Sequence, residues 1–427
     1  MVVSRRCIGY SWSMSRYHNK DVFRQIFRDH WCEFRDKEAE YQTEYYEGII
    51  KKMMGCGDPE NGFISYRCLH CGEVKRVGFS CKSSFCLSCA KIYTDKWVEY
   101  IARALFKGMR YRHVVLTVPE QFRRWFYHNP ELMSEFMKTG HEFFEDVVSY
   151  WLKETVEVAS GVVLQTAGRS GTYNPHLHIL CSSGGMTEDG KWREFGFIDY
   201  DLLHTKWQYH LLNMLRREVK SEEMEKEIDR CWREYPKGLV AYIEKGDVPQ
   251  GGKGLAYYLA KYVVSPPISV KRIIKYDGKM VRYWYRDHQT GKKAEEEVDA
   301  ITFIGRMVQH ILPKGFQRIR YYGLQATCRA SKVREELKGL EKREDKPVGD
   351  TYEVTGYRSR IKKSFGRDPL VCDRCGEEME FEGIWHPEYG WIINNLDNFF
   401  EEYREDGGGD GAIQLSEPEV QIQMSFM

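Results

Sequence analysis

Six cysteines fall between Cys56 and Cys89, and four of them form the pairs Cys68-x-x-Cys71 and Cys86-x-x-Cys89 with 14 residues between. Each such knuckle turns both thiolates toward one ion, and two knuckles complete a tetrahedral four-thiolate zinc site. About 40 residues cannot build a core of their own, so a structural zinc would take its place. Gly, Ser, Asn and Pro within the stretch break any long element. Cys56 and Cys81 remain over; they either complete a second site with His30 or His70 or lie buried as thiols. Cys372-Asp-Arg-Cys375-Gly is a further knuckle with only one ligand pair in view, for which His386 and Cys328 are candidate partners.

The chain's 427 residues, 42% hydrophobic, suit two to four domains of an ordinary globular protein. No run of about 18 apolar residues and no signal-like start occurs, so neither a membrane partner nor export is expected. The expected place is the cytoplasm. Reducing compartments do not sustain disulfides, which turns 13 cysteines into an argument for metal.

A net charge of +1 argues at first against a nucleic-acid partner. The average conceals an acidic end: from Gly376 onward there are 13 Asp and Glu against Arg404 alone. Residues 261–325 carry 13 Lys and Arg against six acids, interleaved with Tyr283, Trp284, Tyr285, Phe316, Tyr321 and Tyr322. Basic residues among aromatics suit single strands, whose bases stack on rings while phosphates meet cations; a twisted sheet with a solvated basic face has the same composition.

Periodicity divides the chain into an N-terminal helical segment (1–55), a zinc-binding module (56–90) and a central domain (91–330). A charged helical insertion at about 198–236 is expected to lie on that domain's surface. A helix and linker (331–370), a small CxxC module (371–404) and an acidic tail (405–427) without structure follow. Within the central domain 111–119, 161–166 and 176–181 read as strands, and Asp277-Gly278 between two apolar runs reads as a hairpin turn. A short helix is expected over 254–264, ended by Ser265-Pro266-Pro267.

Two elements carry chemistry. In Pro175-His176-Leu177-His178 the histidines share one face of a strand, so both can reach one ion while Leu177 turns to the core. Two histidines at this spacing also occur in strands without function. In Tyr257-Tyr258-Leu259-Ala260-Lys261-Tyr262, positions 258 and 262 share a helix face with Lys261 beside them. A phenol can attack a phosphodiester and hold the strand end covalently, helped by a divalent ion at the phosphate; a tyrosine-rich helix packed on a sheet is the alternative.

With CLHC, FSCKSSFCLSC, NPHLHIL and YLAKYVVSPPI in this order, the chain resembles the HUH endonucleases, and in detail the insertion sequence 91 family of rolling-circle transposases. The resemblance spans about residues 20–325 and, in part, the C-terminal Cys372-Asp-Arg-Cys375-Gly. Phe85 departs from it, where many relatives carry His. It implies an α+β fold: a central antiparallel sheet flanked by helices, preceded by a helical, zinc-ribbon-like module. It further implies that His176 and His178 hold Mg²⁺ or Mn²⁺ with Gln165 as favoured third ligand, that Tyr258 and Tyr262 are the nucleophiles, and that Lys261 completes a Tyr-x-x-Lys pattern. Structural Zn²⁺ is expected on Cys68, Cys71, Cys86 and Cys89, with Cys56, Cys81, Cys372 and Cys375 as candidates for further ligands. The implied substrate is single-stranded DNA at element ends and target. A plasmid or phage replication initiator, or a relaxase, would use the same chemistry, and a zinc-dependent DNA-binding regulator would use none.

Overall fold

Apolar residues three and four apart make the first helix: Phe23, Ile26, Phe27, Trp31 and Phe34 form one buried stripe along α1 (Val22–Lys37). Asp21 stands at its N-cap without a capping hydrogen bond, its carboxylate accepting from Arg24 instead, whereas the Thr43 side chain caps α2 (Glu44–Met54) by accepting from the Tyr46 N–H. The computed structural model describes residues 21–106, 109–244, 266–287, 290–338 and 368–395, with 358, 359 and 362. After α2 come the hairpin β1 (Phe63–Arg67) and β2 (Val74–Gly78), then α3 (Leu87–Ala104), β3 (Tyr111–Thr117), α4 (Arg123–His128) and α5 (Pro130–Leu152). Asn129 caps α5, Pro130 opens it where no N–H is needed, and Lys153 at φ 53° ends it.

A long hairpin follows, β4 (Val156–Ala167) with β5 (Tyr173–Thr187), then β6 (Trp192–Glu194), α6 (Tyr200–Glu218), α7 (Glu222–Glu234) and β7 (Ala241–Ile243). Next are β8 (Ile273–Tyr276), β9 (Met280–Arg286), β10 (Lys293–Asp299), α8 (Ala300–Val308), β11 (Ile319–Gly323) and α9 (Ala330–Lys338). The strands β12 (Glu380–His386) and β13 (Gly390–Asn394) close the described chain. Among the described residues no helix is long and apolar enough to cross a membrane.

The central sheet runs β11-β4-β5-β3-β7 with every pair antiparallel, and β6 adds to β5. Alternation splits its side chains between two faces. Val114, Leu116, Val162, Leu164, Leu177 and Ile179 point into a core shared with α5 and α6. The approach of α5 is close: a Cβ on Gly140 would lie 2.5 Å from Leu177 Cδ1. The charged stretch expected as a surface insertion is part of this core, because Trp207, Leu211, Leu212 and Leu215 of α6 and Met224, Ile228 and Cys231 of α7 are buried there. Its charges lie on the outer sides of amphipathic helices.

A second core joins α1 and α8 to the sheet β10-β9-β8. Phe85 belongs to it, its ring 5.7 Å from that of Phe23 and 5.6 Å from that of Phe27.

Two compact units divide the chain: Met1–Cys56 with Ser80–Pro369, and Gly57–Phe79 with Leu370–Met427. The second contains a four-stranded sheet of order β13-β12-β1-β2. This corrects the expected division into a zinc module at 56–90 and a separate module at 371–404. Strand β1 pairs with β2 on one side and β12 on the other, so hydrogen bonding joins segments far apart in sequence. Inside this sheet Glu382 is buried; Arg67 donates to it at 2.6 and 2.9 Å and the Ser65 hydroxyl donates as well.

Candidate active site and cysteine clusters

The face of the central sheet away from α5 and α6 carries the histidines. On β5, His176 lies opposite Gln165 of β4 and Thr117 of β3, while His178 lies opposite Val163 and Val115. Residues paired across antiparallel strands project to the same side, so the register places His176, His178 and Gln165 together. The two imidazole centroids are 5.0 Å apart. Leu177 between them is fully buried on the opposite face.

One further residue belongs to the group. His113 of β3 stacks on His178 with rings 5.1 Å apart and 4° from parallel, and its Nε2 is 2.9 Å from His178 Nδ1. On its other side His113 Nδ1 is 3.7 Å from a Glu244 carboxylate oxygen. A carboxylate there favours the proton on His113 Nδ1, leaving Nε2 to accept from His178 Nδ1–H and the lone pair of His178 on Nε2. His176 reaches the same tautomer by another route: its Nδ1 donates to the Asn174 carbonyl at 2.7 Å, so its lone pair is also on Nε2. Burial holds both rings below the ordinary imidazole pKa, His178 well below it with help from His176 and His113, and it lowers His113 to about 4. Neutral imidazoles with Nε2 lone pairs are what a divalent cation needs. The sequence contains a trace of His113, the alternating strand 111–117, but not which strand β5 would pair with.

Beside Gln165 a cavity of about 960 Å³ opens, lined by Trp97, Tyr100, Arg318, Arg320 and Tyr321 among others. Burial lowers Arg318 to about 10, which still leaves it charged at neutral pH. The buried hydroxyl of Tyr321 has no hydrogen-bond partner among the described residues. The basic and aromatic stretch at 261–325 therefore divides: Phe316, Tyr321 and Tyr322 line this cavity, whereas Tyr283 packs in the second core against Phe303. Tyr258, Lys261 and Tyr262 lie outside the described residues.

The six knuckle cysteines, together with Cys56 and Cys81, form two sets, and the grouping differs from the expected one. Cys68 and Cys71 do not meet Cys86 and Cys89. Instead Cys56, Cys81, Cys86 and Cys89 converge, and Cys68, Cys71, Cys372 and Cys375 converge, with all sulfurs of a set within 4.8 Å of one another. In the first set Cys56 and Cys89 are 3.5 Å apart and Cys81 and Cys89 3.6 Å, and the Cys81 N–H points to the Cys56 sulfur at 3.3 Å. Sulfurs about 2.3 Å from a tetrahedral zinc stand about 3.8 Å apart, so four thiolates of this kind fit zinc. The alternative partners are elsewhere: His30 meets the Gly278 carbonyl at 2.8 Å, Cys328 is exposed, and His386 stacks with Tyr389.

Two family comparisons match. Residues 26–118 match the model described as "Transposase zinc-binding domain", and residues 161–332 match the one described as "Putative transposase". The chain is thus similar in sequence to insertion sequence 91 family transposases. It is 26% identical over 349 residues, 78% of this chain and 82% of the relative, to the transposase for insertion sequence element IS801 of Pseudomonas savastanoi pv. phaseolicola. It is 24% identical over 360 residues, 76% of this chain and 86% of the relative, to "Putative transposase y4qJ" of Sinorhizobium fredii. No solved structure matches it. The zinc-binding match contains all six cysteines from Cys56 to Cys89, and the transposase match begins in β4 and includes His176, His178 and the segment 257–262. Cys372 and Cys375 lie outside both.

Proposed function

We propose that this chain is a transposase that cuts and rejoins single-stranded DNA, with His176 and His178 holding a divalent cation and Tyr258 and Tyr262 attacking the strands. The observation that carries the reading is the histidine pair: two neutral imidazoles on one strand, their Nδ1 protons engaged by Asn174 and His113, beside Gln165. The similarity to insertion-element transposases supports the same reading.

In the proposed cleavage the Tyr258 phenol oxygen attacks the scissile phosphorus. A phosphorus–oxygen bond to tyrosine forms, the bond to the 3′ oxygen breaks, and the phenol proton is passed to that oxygen. The products are a 5′-phosphotyrosine and a free 3′-OH, and the retained ester allows rejoining. Bound magnesium or manganese would polarise the phosphate and offset the charge developing on it. Arg318 and Arg320 in the cavity beside Gln165 would meet backbone phosphates, and Trp97, Tyr100 and Tyr321 would offer faces to bases. Tyr262, four residues on, would serve the target strand, with Lys261 beside both. Zinc at Cys56, Cys81, Cys86 and Cys89 would hold the start of α3 against the second core.

The test is cleavage of a labelled single-stranded oligonucleotide with Mg²⁺ or Mn²⁺, read on a denaturing gel. His176→Ala and His178→Ala should each remove metal-dependent cleavage while DNA affinity stays within about twofold, because affinity comes mostly from phosphate and stacking contacts. Cleavage unaltered in the double variant would remove the proposal.

A further inference from the structure

Cys71 and Cys372 meet although 301 residues separate them. The two loops that bring them together are copies of one local design. Cys68-Leu-His-Cys71-Gly72-Glu73 and Cys372-Asp-Arg-Cys375-Gly376-Glu377 share the pattern C-x-x-C-G-E. In each loop the glycine N–H donates to the carbonyl of the first cysteine, at 2.9 Å for Gly72 and 3.0 Å for Gly376. The N–H of the first cysteine donates in turn to the glutamate carbonyl, at 2.9 Å for Cys68 and 2.8 Å for Cys372. Gly72 at φ 72° and Gly376 at φ 82° occupy the left-handed region that the turn demands.

This geometry aims all four thiols at one point. Cys68 and Cys375 sulfurs are 3.4 Å apart and those of Cys71 and Cys372 3.6 Å. A disulfide would need about 2.05 Å, whereas ligands of a shared tetrahedral zinc stand about 3.8 Å apart. Lys75 and Asp373 pair across the loops at 3.3 Å, and Arg374 approaches Glu73 at 4.0 Å. The apolar packing around the thiols is small, chiefly Tyr66 and Met379 with partly buried Ile64, Val77, Leu370 and Phe381. A core of that size does not hold two separate chain segments together without a crosslink or a metal.

We propose that Cys68, Cys71, Cys372 and Cys375 bind a structural zinc ion, separate from one at Cys56–Cys89, that fastens residues 370–395 to residues 57–79. The C-terminal segment then completes the zinc-binding fold, of which the matched region 26–118 holds only half the ligands of this ion. Binding would release the thiol protons to solvent, so occupancy should fall in acid.

Zinc content of the full-length protein, purified without chelator, tests this. Wild type should carry two equivalents. Cys68→Ser/Cys71→Ser and Cys372→Ser/Cys375→Ser should each carry one, and the variant with all four serines should also carry one, because both pairs serve the same ion. Cleavage by a protease should appear within 57–79 and 370–395 in all three. Should serine variants fail to fold, Cys375→His supplies another zinc ligand: it should keep two equivalents, and its cobalt-substituted form should show a spectrum shifted from that of four thiolates. Two equivalents retained after losing Cys372 and Cys375, or losses from the two pairs that add to two equivalents, would overturn the proposal. So would an unshifted cobalt spectrum in Cys375→His.

Discussion

His176 and His178 are separated by one residue, and that residue explains why they were legible. A strand alternates faces, so a histidine, a leucine and a histidine imply two polar groups together and one apolar group in the core, and Leu177 is fully buried. Gln165 was legible for a related reason, since a hairpin over 161–181 brings it near His176. His113 was not, because which strand lies on the other side of β5 depends on packing across the whole domain. Burial also governs histidines remote from this group. His141 of α5, hydrogen-bonded to the Ser160 hydroxyl at 2.9 Å and stacked on Tyr322, has its pKa lowered by burial to about 4. The unfolded chain takes up this proton near pH 6.5 and the folded chain refuses it until about pH 4, so stability is full above 6.5 and falls as pH drops between the two. Relative to wild type, His141→Gln should lose about 2 kcal/mol less stability between pH 7.5 and 5.0, taking about 1.4 kcal/mol per pH unit. Urea unfolding at the two pH values measures it, and identical losses in both proteins would contradict the burial argument.

At the scale of elements, the antiparallel contact of β3 with β5 turns a histidine pair into a supported one. Glu244, His113 and His178 form a line, with His113 Nδ1 3.7 Å from a Glu244 carboxylate oxygen and His113 Nε2 2.9 Å from His178 Nδ1. Removing a hydrogen-bond partner of a metal-binding histidine commonly costs 10- to 100-fold in metal affinity. His113→Gln should accordingly weaken Mn²⁺ binding by about that factor in calorimetric titration with DNA absent, and unchanged affinity would show that the stacked rings merely pack. The helices teach the opposite lesson about reading a sequence. Residues 198–236 look solvated because charges dominate their composition, yet α6 and α7 bury Trp207, Leu215, Met224 and Ile228. The apolar spacing along those helices marks their buried side, and the charged composition hid it.

For the whole molecule, the α+β class and the order of its chemistry-bearing segments were legible, because periodicity and ligand spacing are local. The sheet that joins β1 to β12 was not, since pairing across some 300 residues leaves no mark in either strand taken alone. The repeated C-x-x-C-G-E was the one signal that could have revealed it. Catalysis, as proposed, depends on Tyr258, Lys261 and Tyr262, which lie outside the described residues, so the account rests most heavily on the covalent link. The direct measurement is mass spectrometric mapping of the adduct formed when the full chain is incubated with single-stranded DNA and Mg²⁺ or Mn²⁺. The adduct should lie on Tyr258, rise in yield above neutral pH as the phenol more readily gives up its proton, vanish in Tyr258→Phe and persist in Tyr262→Phe. Absence of any adduct under these conditions, or an adduct on a residue outside 257–262, would contradict it.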